Sequence, residues 1–132
     1  SFKSNTFKVD KKKVIKNIEK NAKGKKFKLV EGFYQKTIEN KKTSDYGINK
    51  SRIIMIDCDL KESTTLALNF SKPSLQEGTI IIFDDFNFYK GNRNKGEYCA
   101  FQNFKNQNPN IKFRRIFDYG YAGRAFIVAN LD

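Results

Sequence analysis

The sequence predicts an α/β domain built on parallel strands and closed by an antiparallel hairpin. Two apolar runs rich in β-branched residues, 53–56 and 79–83, flank a helix-like stretch at 63–70. That connection is long enough for a right-handed crossover, so the two strands should be parallel. Two apolar segments near the carboxyl terminus, 111–117 and 125–129, predict the hairpin.

The size and composition of the chain predict one globular domain over residues 1–132. Of the 132 residues, 39% are hydrophobic, and thirteen Phe and six Tyr supply material for one core. No apolar run approaches the roughly 18 residues that span a bilayer, and the Lys-rich start lacks the apolar segment of a signal peptide. We therefore expect a cytoplasmic protein with no membrane partner and with reduced thiols at Cys58 and Cys99.

The absence of histidine excludes several kinds of active site. With no His in the chain, Ser-His and Cys-His nucleophile pairs and His-ligated zinc or haem sites are all ruled out. Any general base must therefore be a carboxylate, Lys, Tyr or Cys.

The positive charge is concentrated in the first 50 residues. The chain carries 26 Lys and Arg against 14 acids, and residues 1–50 alone hold 15 Lys against five acids. Such an excess is typical of nucleic-acid binders, but no RNA- or DNA-binding motif accompanies it. We interpret the lysines as the solvated face of a helix, which argues against a nucleic-acid partner.

Periodicity predicts the elements of the first half. Apolar residues at spacings of three and four indicate an amphipathic helix over 10–22, with Asp10 as its N-cap. A short strand at 27–30 and a helical piece at 33–39 should follow, and the polar stretch 40–50 should be a loop.

The second half contains the most regular signals. The run at 53–56 is continuously apolar, which predicts a strand covered on both faces. The helix at 63–70 should end before Pro73. A further helix is predicted over 97–104, with three core residues facing inward: Ala100, Phe101 and Phe104.

Acidic pairs follow both strands of the predicted parallel unit. Asp57 and Asp59 come after the first strand, and Asp84 and Asp85 come after the second. Because the carboxyl ends of parallel strands share one edge of a sheet, the four carboxylates should lie close together. Their mutual repulsion is relieved by a hard divalent cation, so this acidic edge (Asp57, Asp59, Asp84 and Asp85) predicts a Mg²⁺ site.

The two strands with their acids, IIMIDCDL and GTIIIFDDF, resemble the macrocin O-methyltransferase family. Further similarity lies in VEGFYQKTI (30–38), KGEYCAFQNF (95–104) and GYAGRAFIV (120–128). The resemblance covers nearly the whole chain, and its specific part is the combination of D-x-D with D-D.

The resemblance implies a fold as well. It is the Rossmann-like sheet of class I methyltransferases, with strand order 3-2-1-4-5-7-6, of which this chain resembles the carboxyl-terminal part with the first two strands missing. Without those strands, the edge of the strand at 52–56 is uncovered. We expect either 27–30 to dock beside it or two chains to pair through this edge as a homodimer.

The resemblance also implies a chemistry. Members of the family methylate sugar hydroxyls with S-adenosylmethionine, so a small-molecule sugar-containing acceptor is expected. Asp57, Asp84 and Asp85 would hold Mg²⁺, and Asp59 would act as the general base. The eight glycines include no G-x-G, so no residue is assigned to the S-adenosylmethionine site.

Two alternatives remain open at this stage. A D-x-D motif after an apolar strand also occurs in metal-dependent nucleotide-sugar glycosyltransferases, although those enzymes need no second acidic pair. The other alternative is a non-catalytic module in which the Lys-rich first 50 residues bind a polyanion, with an affinity that falls steeply with salt.

Overall fold

A computed structural model of the protein describes residues 10–131. The chain forms two compact units, Ser1–Glu31 and Gly32–Asp132, and the single domain expected from the sequence stays a prediction. Among the described residues, no helix is both long enough and apolar enough to cross a bilayer.

The first unit contains the amphipathic helix α1, Lys11–Ala22. The Asp10 carboxylate accepts a hydrogen bond from the Lys12 backbone N–H at 3.0 Å, which satisfies one of the free donors of the first turn. The helix ends at Lys23, which has a left-handed backbone conformation. Both the helix and its N-cap are thus confirmed.

The strand predicted at 27–30 is wrong. This segment has no regular secondary structure, and Phe27, Leu29 and Val30 are all exposed. Its alternation of apolar residues with Lys fits a strand locally, but a strand persists only when a neighbouring strand pairs its backbone groups. The described residues of the first unit form no other strand that could do so.

The second unit is built on a four-stranded mixed sheet. Its strands are β1 (Ile53–Ile56), β2 (Ile80–Phe83), β3 (Lys112–Tyr119) and β4 (Gly123–Asn130), in the order β1-β2-β4-β3. β1 and β2 are parallel, whereas β4 is antiparallel to both β2 and β3. The crossover and the hairpin are therefore confirmed, and the order is that of the last four strands, 4-5-7-6, of the methyltransferase sheet.

Three helices accompany the sheet. They are α2 (Tyr34–Thr37), α3 (Lys61–Ser71) and α4 (Gly96–Gln107). The predicted loop between α2 and β1 contains a short 3₁₀ turn, Thr43–Tyr46, and a second such turn, Lys72–Ser74, follows α3 at Pro73. All three predicted helices exist, and α2 is shorter than expected.

The core lies between α4 and the middle of the sheet. Phe101 on α4 is fully buried, and its ring centroid lies 4.6 Å from that of Phe126 and 4.9 Å from that of Phe83. Ala100 and Phe104 are buried on the same face of α4, as the sequence predicts. The rings hold α4 firmly against β2, the strand that leads to Asp84 and Asp85.

β1 departs from its prediction in one respect. We expected this strand to be covered on both faces, but Ile53 and Met55 are 65% and 57% exposed, and Ile56 alone is fully buried. Ile53 and Met55 share one face of the strand, and that face lacks a covering layer. β1 also lies at the end of the sheet order, so the continuous apolar run marks an edge strand with one open face.

A candidate metal centre at the carboxyl ends of β1 and β2

The acidic edge forms where the parallel pair β1 and β2 ends. The backbone N–H of Asp84 donates to the Ile56 carbonyl at 3.0 Å, which continues the strand pairing one residue beyond β2. The turn after β1 and the turn after β2 therefore start side by side. This is the placement that parallel strands with acidic ends predict.

Three of the four acidic side chains converge. Each of Asp57, Asp59 and Asp85 offers a carboxylate oxygen, and these oxygens lie within 4.8 Å of one another. Asp59 has φ +54°, a left-handed conformation that is strained for a residue with a side chain. The strained backbone thus occurs at one of the three converging residues.

The fourth carboxylate is held by a tyrosine. The Tyr119 hydroxyl at the end of β3 donates to Asp84 Oδ1 at 2.8 Å, and Asp84 is not part of the group of three. Burial and the Asp84 carboxylate together raise the pKa of Tyr119 to about 12, so it remains a donor at neutral pH. Sequence reasoning did not identify Tyr119, because the contact spans 35 residues.

The crowded carboxylates shift one another's protonation. A hydrogen bond with Asp59, followed by burial and neighbouring charges, raises the pKa of Asp85 to about 7. Burial and the charges of Asp84 and Asp59 raise the pKa of Asp57. Without a counter-cation, the edge therefore holds a proton near neutral pH. Three hard oxygen donors that repel one another fit a Mg²⁺ ion well.

A buried glutamate supports the site from behind. Glu97, in the first turn of α4, is fully buried, and its Oε2 accepts a hydrogen bond from the Asp85 backbone N–H at 2.9 Å. Burial is the main cause that raises the pKa of Glu97 to about 8. The sequence contains a signal for it, because Glu97 occupies the same helical face as the core residues Ala100 and Phe104.

The family is decided by comparison with known proteins. Residues 1–115 match the family model described as macrocin-O-methyltransferase (TylF). The chain belongs to the macrocin O-methyltransferase family. No curated protein matches the sequence significantly.

Solved structures that share the fold of this macrocin O-methyltransferase family member include two O-methyltransferases. The O-methyltransferase NovP has a TM-score of 0.72 at 18% identity, over 92% of this chain and 46% of NovP. CalS11, a TDP-rhamnose 3'-O-methyltransferase of calicheamicin biosynthesis, has a TM-score of 0.56 at 23% identity, over 75% of this chain and 40% of CalS11. The chain spans less than half the length of either protein. These matches confirm the partial methyltransferase fold, and they support neither the glycosyltransferase nor the polyanion-binding alternative.

An aromatic cleft adjoins the acidic edge in this family member. It has a volume of about 240 Å³, and both Asp84 and Asp85 line it, together with Tyr119. Two rings complete its wall, the half-exposed Phe88 and the largely exposed Tyr121. A flat apolar ring beside carboxylates suits a ligand with both C–H faces and hydroxyl groups.

Cys58 serves the core of this family member rather than the acidic edge. It is partly buried against the hydrophobic core, and its Sγ lies 3.4 Å from Thr64 Oγ1. Burial raises the pKa of the Cys58 thiol, so the thiol stays protonated and unreactive at neutral pH. The alternation of side chains along the turn thus separates Cys58 from the acids on either side.

Glycine at position 96 is required by close packing beneath the acidic edge. A Cβ at this position would lie 2.7 Å from the Tyr89 ring and 3.2 Å from the Asp59 carbonyl oxygen, and Gly96 has φ +61°. We expect Gly96→Ala to lower the free energy of unfolding by about 1–3 kcal/mol, measured by urea denaturation. Gly91→Ala is the control, since it has a similar φ but open space around its Cβ. Equal losses in both variants would contradict the packing argument.

The stability of the metal-free protein should depend on pH. Folding raises the pKa of Glu97 and Asp85, so the native state binds more protons than the unfolded state between about pH 4 and pH 8. Stability is therefore greatest below the unfolded pKa values and falls as pH rises through the folded ones. We expect thermal unfolding at a lower temperature at pH 8 than at pH 5.5, with a smaller difference in Glu97→Gln. A stability that rises over this range would contradict these pKa shifts.

Proposed function

We propose that the chain is part of a Mg²⁺-dependent O-methyltransferase that transfers a methyl group from S-adenosylmethionine to a sugar hydroxyl. The observation that carries the proposal is the convergence of Asp57, Asp59 and Asp85 within 4.8 Å, in a chain whose family consists of O-methyltransferases. A cytoplasmic location and a homodimer formed at the β1 edge belong to the same proposal.

The acidic edge divides into ligands and a base. The ligand set implied by the family resemblance is Asp57, Asp84 and Asp85, of which Asp57 and Asp85 belong to the converging group and Asp84 lies outside it. An ion held there would supply Lewis-acid character that lowers the pKa of an acceptor hydroxyl. Asp59 would accept the proton of that hydroxyl, as its carboxylate lies beside Asp57 and Asp85. Tyr119 keeps Asp84 in place through its hydrogen bond. None of the residues of this chain is assigned to S-adenosylmethionine.

The acceptor class is supported by the aromatic cleft and by the structural neighbours. Phe88 and Tyr121 are 48% and 90% exposed beside Asp85, and such rings can pack against the C–H face of a sugar. CalS11 acts on TDP-rhamnose, according to its description. A sugar bound in this cleft would have its hydroxyl groups beside the carboxylates.

The experiment that tests the proposal separates ligands from base. Mg²⁺ affinity, measured by isothermal titration, should weaken about tenfold or more in Asp84→Asn, because a charged oxygen ligand is lost. Asp59→Asn should keep the affinity within about threefold while methyl transfer is lost. Glu77→Gln, an exposed acid before β2, controls for the loss of one charge.

The outcomes of this experiment are distinct. If Asp59→Asn loses Mg²⁺ and Asp84→Asn keeps it, the ligands are the three residues that converge in the structure, and the assignment of Asp59 as base is wrong. A wild-type chain that binds no Mg²⁺ at millimolar concentrations would overturn metal dependence altogether.

A further inference from the structure

Glu97 lies where the two acid-bearing turns meet. Its Oε2 accepts the hydrogen bond from the Asp85 backbone N–H, at the first turn position beyond the β2 pairing. The residue before it, Gly96, packs against the other acidic turn, since a Cβ at this position would lie 3.2 Å from the Asp59 carbonyl oxygen. The start of α4 therefore contacts the backbone of both turns.

The two oxygens of the Glu97 carboxyl differ in their contacts. Oε2 accepts the bond from Asp85, which has ordinary hydrogen-bond length, whereas Oε1 has no hydrogen-bond donor among residues 10–131. Glu97 thus holds the turn after β2 directly, while the turn after β1 packs against Gly96, the residue before it.

A carboxyl group is a costly choice for this position. Glu97 is fully buried on the face of α4 that otherwise packs apolar side chains into the core, and burying a carboxyl with an unfilled acceptor is unfavourable. An apolar residue of similar size would avoid that cost. What Glu97 provides instead is an acceptor for the backbone of the turn that carries Asp85.

We propose that Glu97 is a positioning residue that holds the turn after β2 against the turn after β1 and so sets the spacing of Asp57, Asp59 and Asp85. The effect on metal binding rests on the proposed function, whereas the effect on the turns does not. Glu97 contacts neither the metal nor the substrate in this proposal, and it acts through the backbone of its neighbours.

The test compares two variants of the full chain. Glu97→Leu fills the same space without an acceptor, and Glu97→Gln keeps one acceptor oxygen for the Asp85 amide. Glu77→Leu is the matched control, because it removes an exposed acid away from the site. Thermal unfolding confirms that each variant is folded before the other measurements are made.

Two measurements then decide the role. In the metal-free protein, amide hydrogen exchange at Asp85 should be at least about tenfold faster in Glu97→Leu and within about threefold of wild type in Glu97→Gln. Mg²⁺ affinity should fall about tenfold or more in Glu97→Leu. Ca²⁺ affinity should fall less, since Ca²⁺ tolerates irregular oxygen geometry, so the Mg²⁺/Ca²⁺ affinity ratio should decrease. A purely structural role would leave that ratio unchanged.

Failure of the positioning role of Glu97 can be distinguished from failure of the proposed metal site. If the folded Glu97→Leu protein retains both its Asp85 amide protection and its Mg²⁺ affinity, the positioning role is overturned. If the wild-type chain binds no Mg²⁺, the metal site of the proposed function fails, and the role of Glu97 is decided by amide exchange alone. If Glu77→Leu matches Glu97→Leu in Mg²⁺ affinity and ratio, net charge explains the loss and the positioning of the ligands is overturned.

Discussion

Asp85→Asn is expected to weaken Mg²⁺ binding about a hundredfold, the largest loss of Mg²⁺ affinity of any single change at the acidic edge. Asp85 belongs both to the converging group of three and to the ligand set implied by the family. Its carboxylate oxygen would be replaced by a neutral amide, which is a weaker ligand for a hard cation. Isothermal titration at pH 8, where wild-type Asp85 is ionised, measures the loss.

The same variant should stabilise the metal-free protein. A pKa of about 7 shows that the native fold disfavours the Asp85 carboxylate, largely through its neighbours Asp59, Asp84 and Asp57. Replacing it with a neutral group should raise the free energy of unfolding at pH 8 by about 1 kcal/mol, after allowance for solvent screening. Loss of stability together with retained Mg²⁺ affinity would show that Asp85 is a structural residue.

Phe101→Ala is expected to lower the free energy of unfolding by about 3–5 kcal/mol. Phe101 is fully buried, and its ring packs against those of Phe83, Phe113 and Phe126 at centroid distances of 4.9, 5.0 and 4.6 Å. Removing it leaves a cavity between α4 and three strands. Urea denaturation with two-state analysis measures the change.

The control for this substitution is Phe88→Ala. Phe88 is 48% exposed in the loop after Asp85, so its loss should cost less than about 1 kcal/mol. A stability change in Phe101→Ala no larger than that of Phe88→Ala would mean that α4 does not depend on its aromatic contacts.

The fold was predictable where its signals are local. The crossover from β1 to β2 follows from two apolar runs separated by a helix of suitable length, and the parallel pairing is observed as expected. The segment 27–30 has the composition of a strand but does not form one. Strand formation requires pairing with a neighbouring strand, and the local sequence does not specify that neighbour. The open face of β1 was missed for the same reason, since coverage depends on other layers.

The acidic edge likewise has features that the sequence predicts and features that it does not. That the acids would meet at one edge follows from topology, and Asp57, Asp59 and Asp85 do so. The separate contact of Asp84 with Tyr119 could not be anticipated, because it depends on how the β3–β4 hairpin ends over the edge. Glu97 was detectable in principle as the one acid on the apolar face of α4.

The strand order has a consequence for how the protein folds. β2 lies between β1 and β4, and β4 comprises Gly123–Asn130. The strand that leads to Asp84 and Asp85 therefore keeps one unpaired side until a segment about 40 residues further along the chain docks against it. Until then β2, with its run of isoleucines, is an open template for wrong partners. A variant that delays the docking of β4 should thus aggregate more during refolding, measured by light scattering.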